Sequence, residues 1–211
     1  KSIATTVLAK RRMPAAVEKV LPWAKGGDKA AVAALNNIAS EKDFNTLCDM
    51  LEAGQNVTPG IIKAISEKSA ADQVKMVQER IAKSSKKHLY YPVLARTGSD
   101  DVIPVLVAGY KEGNKDGKAF GSMLTVKSDK MIEPLYEVAT SNAELKDQAL
   151  SRYIALTKTA GINNDRKYMN YRKALETNPA LKYKNQALKA LSATQNYQAM
   201  MLAAEYMDNA E

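Results

Sequence analysis

A reaction run by side chains needs a nucleophile with a base beside it, or a set of metal ligands, and this chain is poor in both. It carries one cysteine, Cys48, and one histidine, His88. Nucleophilic catalysis of the Cys-His or Ser-His-acid kind needs an imidazole next to the nucleophile, so His88 would have to serve any such site alone. His88 follows Ser84, Ser85, Lys86 and Lys87 at a helix start and reads as a surface residue. Cys48 falls on the apolar side of residues 44–51 and reads as a small buried hydrophobe. Zinc asks for four Cys or His ligands, or three and a water, and two such residues 40 positions apart do not supply them. Asn163-Asn164-Asp165 is too short for a calcium loop and reads as a turn with Asp165 as the helix cap. Gly113-Asn114-Lys115-Asp116-Gly117-Lys118 lacks the Ser or Thr and the spacing of a phosphate-cradling loop. The acid pairs Asp100-Asp101 and Glu133 with Glu137 read as solvated helix faces. No catalytic residue, cofactor or metal is expected.

Binding chemistry is better supplied. Tyr153, Tyr168, Tyr171 and Tyr183 sit among Arg152, Arg166, Lys167, Arg172, Lys173, Lys182 and Lys184. Aromatic rings between cations can stack bases and contact phosphates. The same pattern arises when tyrosine rings pack inward and lysines solvate the outside, and that arrangement is the one expected. Tyr153, Tyr168, Tyr171, Arg172, Lys173, Tyr183 and Lys184 remain the first candidates for a binding surface. Nine methionines, with Met200-Met201 and Met207 near the end, fill a core or form an adaptable apolar edge for a partner.

The charge that surrounds these residues is uneven. The net charge of +8 is concentrated in residues 1–25 (+5), 61–90 (+4) and 151–190 (+7), while residues 26–60 and 191–211 each carry −3. Such patches can attract nucleic acid, anionic lipid or an acidic protein. Apolar residues make up 45% and charged residues 26%, which places the chain with ordinary globular proteins. A lone cysteine closes no internal disulfide, so packing must hold the fold. No apolar run approaches the ~18 residues of a membrane span, so membrane insertion is not expected. The first residue is Lys1 rather than Met, which leaves export to the periplasm or cell surface open.

The elements that position these side chains are helices. Apolar residues recur at three- and four-residue spacing, as in Val32, Leu35, Ile38, Ala39 and in Ala187, Leu188, Leu191. No alternating, β-branched run bounded by turns reads as a strand. Breakers at Gly26-Gly27, 54–60, 98–101, 113–117, 161–165 and Asn178-Pro179 cut the text into helix-sized pieces. Caps are expected at Asp28, Thr58, Asp101 and Asn178.

A dipeptide of Ile or Leu followed by a small residue recurs at Ile38-Ala39, Ile65-Ser66, Leu94-Ala95, Leu124-Thr125, Leu156-Thr157 and Leu191-Ser192, at spacings of 27, 29, 30, 32 and 35. Each is expected to end the first helix of a hairpin. Second helices are expected over 44–51, 74–81, 102–110, 131–138, 168–175 and 197–207. A hairpin of two amphipathic helices cannot hide its apolar stripe alone, so neighbours must stack.

The residues Asp28-Lys29-Ala30-Ala31-Val32-Ala33-Ala34-Leu35-Asn36-Asn37-Ile38-Ala39 resemble the second helix of a HEAT repeat. Asp101-Val102-Ile103-Pro104-Val105-Leu106 and Lys130-Met131-Ile132-Glu133-Pro134-Leu135 resemble HEAT first helices, with proline near the start. The units are shorter than the ~40 residues of that family, and tetratricopeptide repeats match the length but not the residue pattern. The opening Ser2-Ile3-Ala4-Thr5-Thr6-Val7-Leu8-Ala9 is similar to the start of HEAT-like regions in exported bacterial proteins that carry a sugar-acting domain.

The resemblance to HEAT and armadillo proteins implies an all-α fold, a single domain over residues 1–211, and a right-handed α-α superhelix of about six antiparallel hairpins. It implies a non-enzymatic scaffold that binds a protein or peptide. Two other readings go with it. HEAT-like alkylpurine DNA glycosylases share the size, the charge and the helical stack, and would call on an aromatic residue, of which Trp23 is the only tryptophan. An accessory helical domain of an exported carbohydrate-related protein is the other.

Overall fold

The computed structural model describes Val7 and residues 14–208, so the resemblance of residues 2–9 and most of the first basic patch lie outside the described residues. Every regular element among the described residues is helical. The α-helices are α1 (Val17–Lys25), α2 (Lys29–Ile38), α3 (Phe44–Glu52), α4 (Thr58–Ile65), α5 (Ala70–Lys83), α6 (Tyr91–Leu94), α7 (Val102–Lys111), α8 (Lys118–Met123), α9 (Ile132–Ser141), α10 (Lys146–Thr159), α11 (Asn164–Glu176), α12 (Leu181–Ser192) and α13 (Tyr197–Asp208). Single 3-10 turns lead into several of them, as Lys87–Tyr90 does into α6. No helix among the described residues is long and apolar enough to cross a membrane.

The recurrent dipeptides mark helix ends. Ile38, Ile65 and Leu94 are the last residues of α2, α4 and α6; Leu124 directly follows α8; and Leu191-Ser192 closes α12. Leu156-Thr157 is the exception, because α10 runs on to Thr159. The expected second helices all form, with α5 and α11 beginning four residues earlier than the apolar pattern suggests.

Caps follow the sequence less closely. Asp28 accepts the N–H of Ala31 at 2.9 Å, as an N-cap should. Thr58 instead lies inside the first turn of α4, where Pro59 loses nothing because that N–H has no helical acceptor. Asp101 makes no side-chain cap. Asn163, not Asp165, caps α11 by accepting the N–H of Arg166 at 2.9 Å. Asn178 turns the chain out of α11 at φ 49°, a left-handed conformation that asparagine tolerates, and α12 begins three residues later.

The chain divides into two compact units, 1–125 and 126–211. In the first, α2, α4, α6 and α8 pack in succession, each on the next, with α1 on α2, α3 on α4 and α7 on α8. Leu35, Leu47, Ile61, Leu94 and Leu106 form its fully buried core. In the second, α9 packs on α10, α10 on α11 and α12, and α11 and α12 on α13. Its core is built on Leu135, Leu150, Tyr153, Tyr171 and Leu191.

Candidate functional site

The densest group of titratable side chains is a knot that joins α3, α5 and the turn before α6. Arg80 Nε donates to the Tyr90 hydroxyl at 3.1 Å and to Glu52 Oε1 at 3.3 Å, and its Nη2 donates to Glu52 and Asp49. Tyr90 in turn donates to Glu52 Oε1, and Lys86 Nζ donates to the Glu52 carbonyl at 2.6 Å. The Tyr90 hydrogen bond, ahead of the other influences, holds the Glu52 carboxyl below its ordinary value. Burial pushes the thiol of neighbouring Cys48 up to about 12. Cys48 is fully buried and stays a thiol at neutral pH, which is the form that neither attacks nor binds metal. Tyr90, Arg80 and Glu52 engage one another while Asp49 stays largely exposed, and the bonds fasten α3, α5 and the turn before α6 together. The pairing of Arg80 with Tyr90 and Glu52 has no short-range sequence signal, because its members are 10 and 28 residues from Arg80.

His88, expected at the surface, is partly buried. Its side chain is 12% exposed and its Nε2 lies 3.3 Å from Asp116 Oδ2. The 3-10 turn Lys87–Tyr90 that carries His88 packs against α8.

The seven residues chosen from the sequence lie on α10, α11 and α12 and divide between interior and surface. Tyr153 and Tyr171 are core residues at 0% and 1% exposure, and their rings offer no face to a ligand. Burial pushes the Tyr171 hydroxyl up to about 12 and drives that of Tyr153 further up. The Tyr153 hydroxyl meets no hydrogen-bond partner among the described residues, and its ring lies 5.5 Å from that of Tyr136. Lys173 reaches across to the same place: its Nζ sits 5.1 Å from the Tyr136 ring centre and 3.4 Å from the Glu133 carboxylate. Arg172 is exposed and donates from Nε to Glu176 Oε1 at 2.7 Å. Lys184 lies over the Tyr206 ring at 5.0 Å, and Tyr183 is half-buried with Lys182 over its ring at 5.4 Å.

Arg172 and Tyr168 also line a groove of about 540 Å³ between α11 and α13. Tyr168, Arg172 and Glu176, four residues apart, form one wall because that spacing keeps them on one helix face. Tyr197, Gln198, Met201, Leu202, Glu205 and Tyr206 of α13 form the other. Of its lining, Tyr197 is 71% and Met201 48% exposed; Met200 on α13 and Met169 on α11 are also exposed, at 62% and 49%. Adjacent helical residues can both be buried, as Leu47 and Cys48 or Tyr153 and Ile154 are, so the doubled methionine did not by itself mark this surface. The acids Glu176 and Glu205 carried no signal either.

Among the described residues no three His, Cys, Asp or Glu side chains gather as metal ligands would. Trp23 lies half-buried on α1, and its carbonyl accepts the N–H of Asp28 at 3.1 Å. Comparison with family models, with curated proteins and with solved structures finds no match to this chain.

Proposed function

We propose that this chain is a non-enzymatic protein-binding module built of stacked, HEAT-like helix hairpins. The stacking part rests on the succession of α2, α4, α6 and α8 in the first unit and of α10 with α12 and α11 with α13 in the second. Neighbour-on-neighbour packing of this kind is what lets paired helices bury stripes that none could bury alone. The binding part rests on one observation: the groove between α11 and α13, with exposed Tyr197 and Met201 in its lining. Scattered apolar residues on a surface need no explanation, whereas a gathered set around a groove marks an interaction site.

The nucleic-acid reading draws less support from the same residues. Stacking of bases needs open rings, and Tyr153 and Tyr171 are buried. Phosphates need free cations, and Arg172 is bound to Glu176 while Lys173 is bound to Glu133. The test is the fluorescence anisotropy of labelled single- and double-stranded DNA titrated with the protein from low to physiological salt. Only weak binding that vanishes as salt rises is expected from a net charge of +8. Binding that survives physiological salt, and is lost when Arg172, Lys173 and Lys184 are reversed to Glu, would replace the protein-binding reading with a nucleic-acid one.

A further inference from the structure

We propose that Met201, in the groove between α11 and α13, is a reversible oxidation site: a peroxide converts its thioether to the sulfoxide, and that part of the groove changes from apolar to polar. The effect on binding rests on the protein-binding reading above, whereas the chemistry stands apart from it.

Exposure selects the site. A methionine sulfur is oxidised where the oxidant reaches it, and the described methionine side chains fall into two groups. Met50, Met123 and Met131 are buried, and Met76 is half-buried. Met169 on α11 and Met200 and Met201 on α13 stand exposed, and of these three Met201 lines the groove. A cysteine thiolate would ordinarily compete for the oxidant, being the stronger nucleophile. Here the single cysteine, Cys48, is fully buried, and burial keeps it a thiol at neutral pH. An oxidant arriving from water therefore meets exposed thioethers and no thiolate.

The step balances with hydrogen peroxide as the oxidant. A lone pair on the Met201 sulfur attacks one peroxide oxygen, the O–O bond breaks and an S–O bond forms. The departing hydroxide takes up the proton of the attacked oxygen and leaves as water. Sulfur has then lost two electrons and the peroxide has gained them. The return step needs a sulfoxide reductase that draws on a pair of thiols: the oxygen leaves as water and the thiols close to a disulfide.

The lining gives the step its consequence. Met201 and Leu202 are the aliphatic side chains of the groove, beside Tyr168, Tyr197 and Tyr206. Leu202 is half-buried, so Met201 is the aliphatic chain most open to a partner. Its flexible thioether adapts to an apolar surface laid on it, and a sulfoxide in its place is polar and holds water. Because Met201 is exposed, α13 carries the added oxygen in solvent rather than in the core.

The test treats the whole chain with limiting hydrogen peroxide at neutral pH, maps sulfoxides by peptide mass spectrometry, and titrates the protein with the neutral apolar dye Nile red. Met169, Met200 and Met201 are expected to oxidise at least about tenfold faster than Met50, Met123 and Met131, since exposure governs the rate. Far-ultraviolet circular dichroism is expected to stay unchanged while the dye binds at least about threefold more weakly, part of what covering a methionine side chain is worth. A sulfoxide reductase with dithiothreitol is expected to restore the binding. Met201→Gln, polar from the start, is expected to show the weak binding without peroxide. Met201→Leu, apolar and without sulfur, is expected to keep most of its dye binding after peroxide.

Oxidation of the buried methionines at the same rate, loss of the helical signal on oxidation, or dye binding that oxidation leaves unchanged would overturn the proposal. So would an equal loss of dye binding in Met201→Leu, because the effect would then lie elsewhere. These measurements contain no nucleic acid and no partner, so their failure overturns the oxidation site alone, while the DNA titration above tests the protein-binding reading alone.

Discussion

Single side chains carry the clearest consequences. Glu52 accepts from Tyr90 and Arg80 in a place where its own side chain is 25% exposed. Glu52→Gln removes the charge that Arg80 faces and is expected to cost about 1–2 kcal/mol at neutral pH, the worth of charged hydrogen bonds at a partly solvated site. The carboxyl's folded value lies below the 4.5 of the unfolded chain, so its contribution is complete above 4.5 and fades as pH falls below it. Denaturant titrations at neutral and acid pH should therefore show wild type and Glu52→Gln converging in acid; a constant gap would remove Glu52 from the account of acid stability. Tyr153 behaves in the opposite sense, because its buried hydroxyl has no partner among the described residues. Tyr153→Phe is expected to be neutral or to stabilise by up to about 1 kcal/mol, since it deletes a desolvated group and keeps the ring; a clear loss of melting temperature would reveal a bond to that oxygen. The pattern of Tyr153, Tyr168 and Tyr171 between basic residues favoured inward packing, and all three rings are buried, but which helix lies above each ring is not written beside it. Nothing within a few residues of Tyr153 names Tyr136 as its neighbour.

At the scale of elements, local signals served best where local physics decides. Gly, Pro and Asn break helices through their own backbone preferences, so the pieces were legible, and the Ile/Leu-small dipeptides located helix ends at α2, α4, α6, α8 and α12. Caps were less legible, since Asp, Asn, Ser and Thr suit turns and caps alike, and Asn163 and Asp165 could not be told apart by type. Close helix approaches were not legible at all. Gly109 on α7 faces Tyr91 of α6, and a Cβ there would lie 2.5 Å from Tyr91 Cζ and Oη. Tyr91 is itself buried and cannot swing away freely. Gly109→Ala is expected to cost about 1–3 kcal/mol through overpacking. Tyr91→Leu in the same chain should recover part of that loss, and a double-mutant cycle by chemical denaturation measures the coupling. Additive losses would mean that the two positions do not meet.

For the molecule as a whole, the helices that pack together in each unit are one or two places apart along the chain. Contacts between sequence neighbours are quick to find, so the main refolding phase should be complete within milliseconds, followed by stopped-flow fluorescence of Trp23, the only tryptophan. A main phase of seconds would show that distant contacts control folding. The all-α class of the described residues was readable from periodicity along most of the chain. The groove was not, because its walls come from α11 and α13, with all of α12 between them. Ten tyrosines against one tryptophan also decide how this protein looks in ultraviolet light. Burial is the main cause that holds the hydroxyls of Tyr90, Tyr153 and Tyr171 above the ordinary value of 10. In alkali the unfolded chain ionises these groups first and draws the fold open, so the tyrosinate absorbance of these three should rise with unfolding rather than ahead of it. The protein thus carries its own alkaline indicator, whose late colour change reports the state of both cores.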